Sequence, residues 1–183
     1  WHNFHVFRTN DELNMQNRFV FVDTEANIQH VEDTQYQTFR LGSAIFWDRE
    51  NDLKRELVFH DTKTFWDKLE GFFTDDQHKI IVFAHNMGYD LRLLDGVRSL
   101  ESRGWVNTRY YVKAQVFILE FTKGKDRLCL WDTFNYVQAS LAELGRTVGL
   151  EKLGSFDEHT ENEKDLEKYC LNDTEIIYRF VRN

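Results

Sequence analysis

The sequence predicts an α/β domain in which helices pack on both faces of a central sheet. Residues 18–23 and 79–84 are short, continuous apolar runs, the pattern of strands that are buried on both faces. Residues 38–47 and 53–59 predict two further strands, joined by the polar turn Asp-Arg-Glu-Asn-Asp. A three-stranded meander therefore opens the fold, and segments with helical spacing follow it.

The first two helices are predicted from their apolar periodicity. Residues 62–73 place five large apolar side chains on one helical face, and residues 88–103 continue the same spacing up to a C-terminal Gly104. Strands at 106–112 and 115–132 come next, with Lys-Gly-Lys-Asp as the turn of a hairpin. The remaining helices are predicted at 138–146 and 161–182, the second opening on a capping box of Thr160 and Glu163.

Length and composition favour a single domain over residues 1–183 with a substantial core, because 42% of the residues are apolar. No apolar run reaches the roughly 18 residues that a membrane span needs, and no signal peptide is visible. Cys129 and Cys170 are isolated in apolar segments, which predicts reduced core cysteines and a cytoplasmic location. Because the chain begins at Trp1, we expect it to be excised from a longer protein.

Carboxylates follow two apolar strands and lie on one inward helix face. Asp23 and Glu25 are two residues apart, so their side chains share a face of the strand. Asp90 lies in the first turn of a helix, where the helix dipole favours an anion. Asp173 is one turn after Tyr169 on the apolar face of the last helix. Because a lone buried carboxylate is costly, these acids predict a site for hard divalent cations such as Mg²⁺ or Mn²⁺.

Each of these signals also has a purely structural interpretation. An Asp-x-Glu sequence after a strand is common by chance. Asn86 also fits a helix cap, and Asp90 also fits a first-turn anion. Tyr169 and Asp173 could form a hydrogen-bonded pair in the core. The net charge of −8 also argues against a phosphate-rich partner, unless bound cations neutralise the acids.

Three motifs in this order resemble those of the DEDDy 3′→5′ exonucleases, which have a ribonuclease H-like fold. The motifs are Asp23-Thr24-Glu25, Asn86-x-x-x-Asp90 and Tyr169-x-x-x-Asp173. The segments FAHNMGYDLRLL, FILEFTKGKDRLCLWDTFNYV, SLAELGRTVGLEK and YCLNDTEII further resemble the proofreading domain of protein-primed family B DNA polymerases of phages and linear plasmids. The resemblance implies a ribonuclease H-like mixed sheet with flanking helices and an extra β-hairpin.

The resemblance also implies catalytic roles. Asp23, Glu25 and Asp173 would hold one cation, and Asp23 would also reach a second, which Asp90 would contact largely through water. Two such cations stabilise the attacking and leaving oxygens of an in-line displacement at phosphorus. Tyr169 would orient the attacking water, since a tyrosine with an ordinary pKa near 10 is a poor base at neutral pH.

Contacts to the nucleic acid are implied in the same way. Asn86 and Tyr89 match positions that contact terminal nucleotides in similar proteins, and Tyr89 could stack on a base. Thr133 and Phe134 fall where relatives bind single-stranded DNA, and Lys152 resembles a lysine near the scissile phosphate. The chain departs from its relatives at Ala26, where they commonly have Thr or Ser.

The leading hypothesis is a metal-dependent 3′→5′ exonuclease that releases nucleoside 5′-monophosphates from the 3′ end of single-stranded DNA, as a proofreading domain beside a polymerase. One alternative is a stand-alone exonuclease on RNA or oligonucleotides, because sequence does not reveal a contact to the 2′-hydroxyl. Another is a catalytically silent module that binds nucleic acid. The location would be the bacterial cytoplasm, or the host cytoplasm for a phage, virus or plasmid protein.

Overall fold

The computed structural model describes residues 17–113, 116–154 and 162–183. Within these residues, seven strands form one sheet in the order β3-β2-β1-β4-β7-β6-β5. The strands are β1 Arg18–Val31, β2 Thr34–Asp48, β3 Leu53–Phe59, β4 Lys79–Ala84, β5 Val106–Lys113, β6 Val116–Lys123 and β7 Asp126–Asp132. The helices are α1 Thr62–Glu70, α2 Met87–Leu93, α3 Gly96–Ser102, α4 Leu141–Thr147 and α5 Glu163–Arg182, with a 3₁₀ turn at Thr133–Asn135.

The sheet is mixed, as predicted. β1, β2 and β3 form the expected antiparallel meander, and β5, β6 and β7 are also joined antiparallel. β4 lies between β1 and β7 and is parallel to both. The predicted α/β class is confirmed, and a seven-stranded mixed sheet flanked by helices is compatible with a ribonuclease H-like fold.

Helices cover both faces of the sheet. On one face, α1, α2 and α3 pack over alternate strand residues that include Val20, Val22 and Ile80. On the other face, α4 and α5 pack over Phe21 and Ile81, which alternate with the first set. The central strands are therefore apolar on both faces, which explains their continuous apolar runs.

Several predicted boundaries differ from the observed ones, and in two of them backbone pairing or local geometry overrode the apolar pattern. β1 continues to Val31, so Asp23 and Glu25 lie inside a strand, because the polar residues that follow still pair with β2. The helix predicted at 88–103 is two helices, α2 and α3. Asp95 breaks the helix with a left-handed φ of 47°, and a Cβ at Gly96 would lie 2.0 Å from Leu91 Cδ1.

The last helix begins slightly later than predicted. Its cap is Asn162, whose side chain accepts a hydrogen bond from the Lys164 N–H. The predicted cap, Thr160, lies outside the described residues. None of the helices in the described ranges combines the length and the apolarity that crossing a bilayer requires.

Candidate active site

Four carboxylates approach one another where β1 passes between α2 and α5. Asp23 and Glu25 alternate along β1 on the face that α5 covers, and α5 brings Asp173 to them. Thr24 points to the opposite face and donates a hydrogen bond of 2.6 Å to Oδ1 of Asp90 in α2. The charges of Asp90, Asp173 and Glu25 all act on the buried Asp23, so the four acids that the sequence singles out are electrostatic neighbours.

Proximity and burial shift the pKa of each carboxyl group upward. Burial raises the pKa of Asp23 well above its ordinary value, and the charges of Asp90, Asp173 and Glu25 raise it further. Burial and Asp173 raise the pKa of Glu25 to about 7. Burial raises the pKa of Asp90 to about 8, although the hydrogen bond from Thr24 acts in the opposite direction. Keeping mutually repelling carboxylates away from water destabilises the metal-free protein. A bound cation would offset that loss of stability.

Asp173 has one oxygen that is paired and one that is not. Its Oδ2 accepts a hydrogen bond from Lys152 Nζ, which also lies 4.4 Å from the centre of the Tyr169 ring. Its Oδ1 is buried and has no hydrogen-bond partner among the described residues. Buried carboxylate oxygens are normally satisfied, so this unpartnered atom is an exception, and it belongs to a carboxylate whose charge acts on Asp23 and Glu25.

This donor set fits divalent cations with a preference for oxygen. The four carboxylates of Asp23, Glu25, Asp90 and Asp173 supply the negative charge and the hard ligands that Mg²⁺ and Mn²⁺ prefer. The unpartnered Oδ1 of Asp173 is a buried oxygen that a bound cation would satisfy.

Cys170 contributes a contact that sequence reasoning missed. It is buried and free, as predicted, but its Sγ lies 3.4 Å from Oδ2 of Asp23. The ligand atoms of Asp23, Glu25 and Cys170 all lie within 4.8 Å of one another. Burial and the charge of Asp23 raise the pKa of the thiol well above its ordinary value, so it stays protonated and donates to Asp23.

Tyr169 lies beside this cluster and is half-buried. Burial raises the pKa of its hydroxyl above the ordinary value, while the hydrogen bond from Lys152 lowers it. The net shift is upward, so the hydroxyl keeps its proton at neutral pH and can act by positioning another group rather than as a base.

A cavity of about 350 Å³ lies between the start of α2, the facing ends of β5 and β6, and the turn after β7. Its lining residues are Asn86, Gly88, Val112, Val116, Phe117, Asp132 and Phe134. Asn86 has a left-handed φ of 81°, and in the described part of the chain its exposed side chain makes no capping hydrogen bond. The interpretation of Asn86 as a side-chain cap is therefore wrong, and its amide is available to the cavity.

The other predicted nucleic-acid contacts differ in exposure. Phe134 is half-buried and its ring lies 4.5 Å from that of His85. Tyr89 is half-buried under the guanidinium group of Arg92. Thr133 is fully buried, and its Oγ1 is 2.7 Å from His85 Nδ1, so the direct contact predicted for it has no exposed surface.

Asp132, at the end of β7, is a further buried acid that sequence reasoning missed. Its carboxylate accepts hydrogen bonds from the backbone N–H groups of Asn86, Met87 and Phe134, at 3.3, 2.7 and 2.9 Å. Asp132 therefore fixes the start of α2 and the turn that carries Phe134. An aspartate between an apolar strand and a helical turn is a recognisable capping signal that could have identified it.

No protein-family model and no curated protein sequence matches this chain. Solved structures do match it. Phi29 DNA polymerase complexed with primer-template DNA superposes with a TM-score of 0.56 at 14% sequence identity, and the same polymerase complexed with single-stranded DNA with a TM-score of 0.54 at 14%. This chain shares its fold with part of Phi29 DNA polymerase. Each match covers 88% of this chain and 30% of the polymerase chain, so the chain spans less than a third of its neighbour.

The raised pKa of Glu25 predicts how pH changes the stability of the metal-free protein. Because the folded state raises this pKa from 4.5 to about 7, folding binds a proton between these values. The contribution of Glu25 to the free energy of unfolding is therefore largest at acid pH and falls as pH rises through about 7. We expect the free energy of unfolding of Glu25→Gln, taken relative to wild type, to be about 1 to 3 kcal/mol higher at about pH 8 than at about pH 4.5. Urea unfolding in EDTA at the two pH values measures this difference.

The exposed Asp75 offers a matched control, since Asp75→Asn removes an acid outside the cluster. Its stability difference from wild type should not change between the two pH values. An equal pH dependence for the two variants would contradict the repulsion inferred for the cluster. Added Mg²⁺ should reduce the advantage of Glu25→Gln, because the cation would relieve the same repulsion.

Proposed function

We propose that this chain is a metal-dependent 3′→5′ exonuclease that shortens single-stranded DNA. The main support is that Asp23 is buried and lies within electrostatic reach of Glu25, Asp90 and Asp173. Acids gathered in this way destabilise the metal-free protein, as their raised pKa values indicate, so a purely structural role does not account for them.

The DEDDy pattern supports the same chemistry. In the proposed site, Asp23, Glu25 and Asp173 would hold one cation, and Asp23 would also reach a second, which Asp90 would contact largely through water. Bound cations of this kind stabilise both the attacking and the leaving oxygen of a phosphoryl displacement. Tyr169, one helical turn before Asp173, directs the attacking water through its protonated hydroxyl.

The reaction follows from this arrangement. The oxygen of a water molecule forms a bond to the terminal phosphorus, and the bond from that phosphorus to the 3′ oxygen of the preceding nucleotide breaks. The leaving oxygen takes up a proton, so the products are a nucleoside 5′-monophosphate and a strand shortened by one nucleotide. Lys152 can turn from Asp173 to the scissile phosphate, because its flexible stem ends at the edge of the site.

DNA is the favoured substrate because the structural neighbours are complexes of Phi29 DNA polymerase with DNA, and they cover most of this chain. We propose that the chain acts as the proofreading part of a polymerase of this kind. Asn86 and Phe134, which line the cavity at the start of α2, and Tyr89 in α2 would hold the terminal nucleotides.

The proposal is tested with a 5′-labelled single-stranded DNA oligonucleotide in Mg²⁺ or Mn²⁺. We expect a ladder of products that shortens from the 3′ end, and complete loss of cleavage in EDTA. A matched RNA oligonucleotide should be cut more slowly; faster cutting of RNA would favour the alternative RNA substrate. Tight binding of DNA without any cleavage would contradict the proposal and indicate a silent binding module.

A further inference from the structure

Beyond Glu25, β1 and β2 continue as a two-stranded arm, residues 26–39. β4 pairs with β1 only along Phe19–Phe21, and β3 pairs with β2 only along Gly42–Asp48. Among the strands described, residues 26–39 therefore pair only with each other. The arm projects from the sheet directly next to the acid cluster, a feature that the sequence pattern did not predict.

One face of this arm continues the face that carries Asp23 and Glu25. β2 has one extra residue, Arg40, opposite the step from Glu25 to Ala26, whereas β1 has none, so Asn27 and Gln29 follow the two acids on that face of β1. The register places Thr38 opposite Asn27 and Tyr36 opposite Gln29. All four of these side chains are exposed, and 53% of the Tyr36 surface is accessible. These four side chains are uncharged and include one large aromatic ring, and the charged Arg40 lies near Glu25 where the arm begins.

The opposite face of the arm is held by the body of the protein. The ring of Phe39 stacks on Phe59 in the core at 5.7 Å. Gln37 Oε1 accepts a hydrogen bond of 3.1 Å from the Arg92 guanidinium group of α2. These contacts fix one side of the arm and leave the face with Asn27, Gln29, Tyr36 and Thr38 open.

We infer that this open face binds the nucleotides that lie 5′ of the terminal one in a single DNA strand, an inference that rests on the proposed exonuclease function. Tyr36 supplies a stacking platform, which every base can use. The amides of Asn27 and Gln29 can each donate to and accept from a base edge. The side chains of Asn27, Gln29, Tyr36 and Thr38 carry no charge, so they do not repel a phosphate backbone that passes along them.

Continuity of the surface favours DNA as the occupant. A DNA strand whose last phosphate reaches Asp23 and Glu25 must leave the site over neighbouring surface. The open face of the arm is such a surface, because β1 carries both acids and continues into the arm. A second copy of the chain or a protein partner on this face would leave the length dependence of cleavage unchanged, so the experiment separates these occupants from DNA.

The test compares two substrates and two faces of the arm. The first substrate is a 5′-labelled single-stranded DNA oligonucleotide, and the second is thymidine 5′-p-nitrophenyl phosphate, which has no upstream nucleotide. We expect Tyr36→Ala to raise KM for the oligonucleotide about 5-fold to 100-fold, the range of one lost base stack, with no change for the ester. Tyr36→Phe keeps the ring and should behave as wild type.

Gln29 and Gln35 provide a matched pair, because both are exposed glutamines of the arm and lie on opposite faces. Gln29→Ala should weaken use of the oligonucleotide, and Gln35→Ala should not. Equal effects of the two variants, or an unchanged KM in Tyr36→Ala, would overturn the inference while leaving the exonuclease proposal intact.

Failure of the exonuclease proposal is distinguishable, because wild type would then cleave neither substrate. In that case, fluorescence anisotropy of the labelled oligonucleotide still tests the arm. Weaker binding by Tyr36→Ala than by Gln35→Ala would support the DNA-binding face, and equal binding would overturn it.

Discussion

Replacing Asp23 by asparagine is expected to lower kcat for DNA cleavage by at least about 1,000-fold, because the loss of several kcal/mol of cation-mediated stabilisation corresponds to that factor. Asp23 is the only residue proposed to hold both cations. Asparagine keeps the size of the side chain and removes its charge. The measurement is the rate of 3′ shortening of the labelled oligonucleotide at saturating Mg²⁺.

Stability provides the second readout for this variant. Since burial and three neighbouring acids raise the pKa of Asp23, the metal-free Asp23→Asn protein should be at least as stable as wild type near neutral pH. Inactivity with undiminished stability would assign the loss to the site rather than to unfolding. Asp75→Asn is the matched control and should keep full activity. Retention of more than a tenth of the wild-type rate in Asp23→Asn would contradict the two-cation site.

Replacing Asp132 by alanine is expected to lower the free energy of unfolding by about 3 to 5 kcal/mol, since three backbone N–H groups lose a charged acceptor. The Met87 N–H is buried and would have no other partner among the described residues. The urea midpoint measures this loss. Asp132→Asn keeps one carbonyl acceptor and should lose less stability.

Asp61 is the matched control for Asp132, because it is also an aspartate that caps a helix. It is exposed and accepts from one backbone N–H, that of Thr64, so Asp61→Ala should cost much less stability. If the two alanine variants were equally stable, the anchoring role of Asp132 would be wrong. In Asp132→Asn we also expect a higher KM for DNA, because Asn86 and Phe134 lose their fixed positions at the cavity.

The sequence was informative where a pattern had a single physical cause. The apolar runs of β1 and β4 predict strands buried on both faces, and the structure shows them at the centre of the sheet. The spacing of Tyr169 and Asp173 predicts one inward face of α5, and both side chains lie at the cluster. The sequence could not predict the arm, because its polar residues carry no burial signal and only backbone pairing makes them strands.

Other features depended on contacts between distant segments. The hydrogen bond that Cys170 donates to Asp23 joins residues 147 positions apart, and the one that the Met87 N–H donates to Asp132 joins residues 45 positions apart. Neither pairing leaves a periodic trace in the sequence. The break between α2 and α3 likewise depends on how closely Leu91 approaches Gly96, which helical spacing alone does not show.

The sequence by itself determined the order of the elements, the α/β class and the identity of the four acids, because these depend on local periodicity and residue chemistry. Only the tertiary structure decided that the acids meet, that one oxygen of Asp173 lacks a partner among the described residues, and that an arm extends the acid-bearing face. These properties arise from packing between remote segments, and the raised pKa values exist only when that packing removes the carboxylates from water.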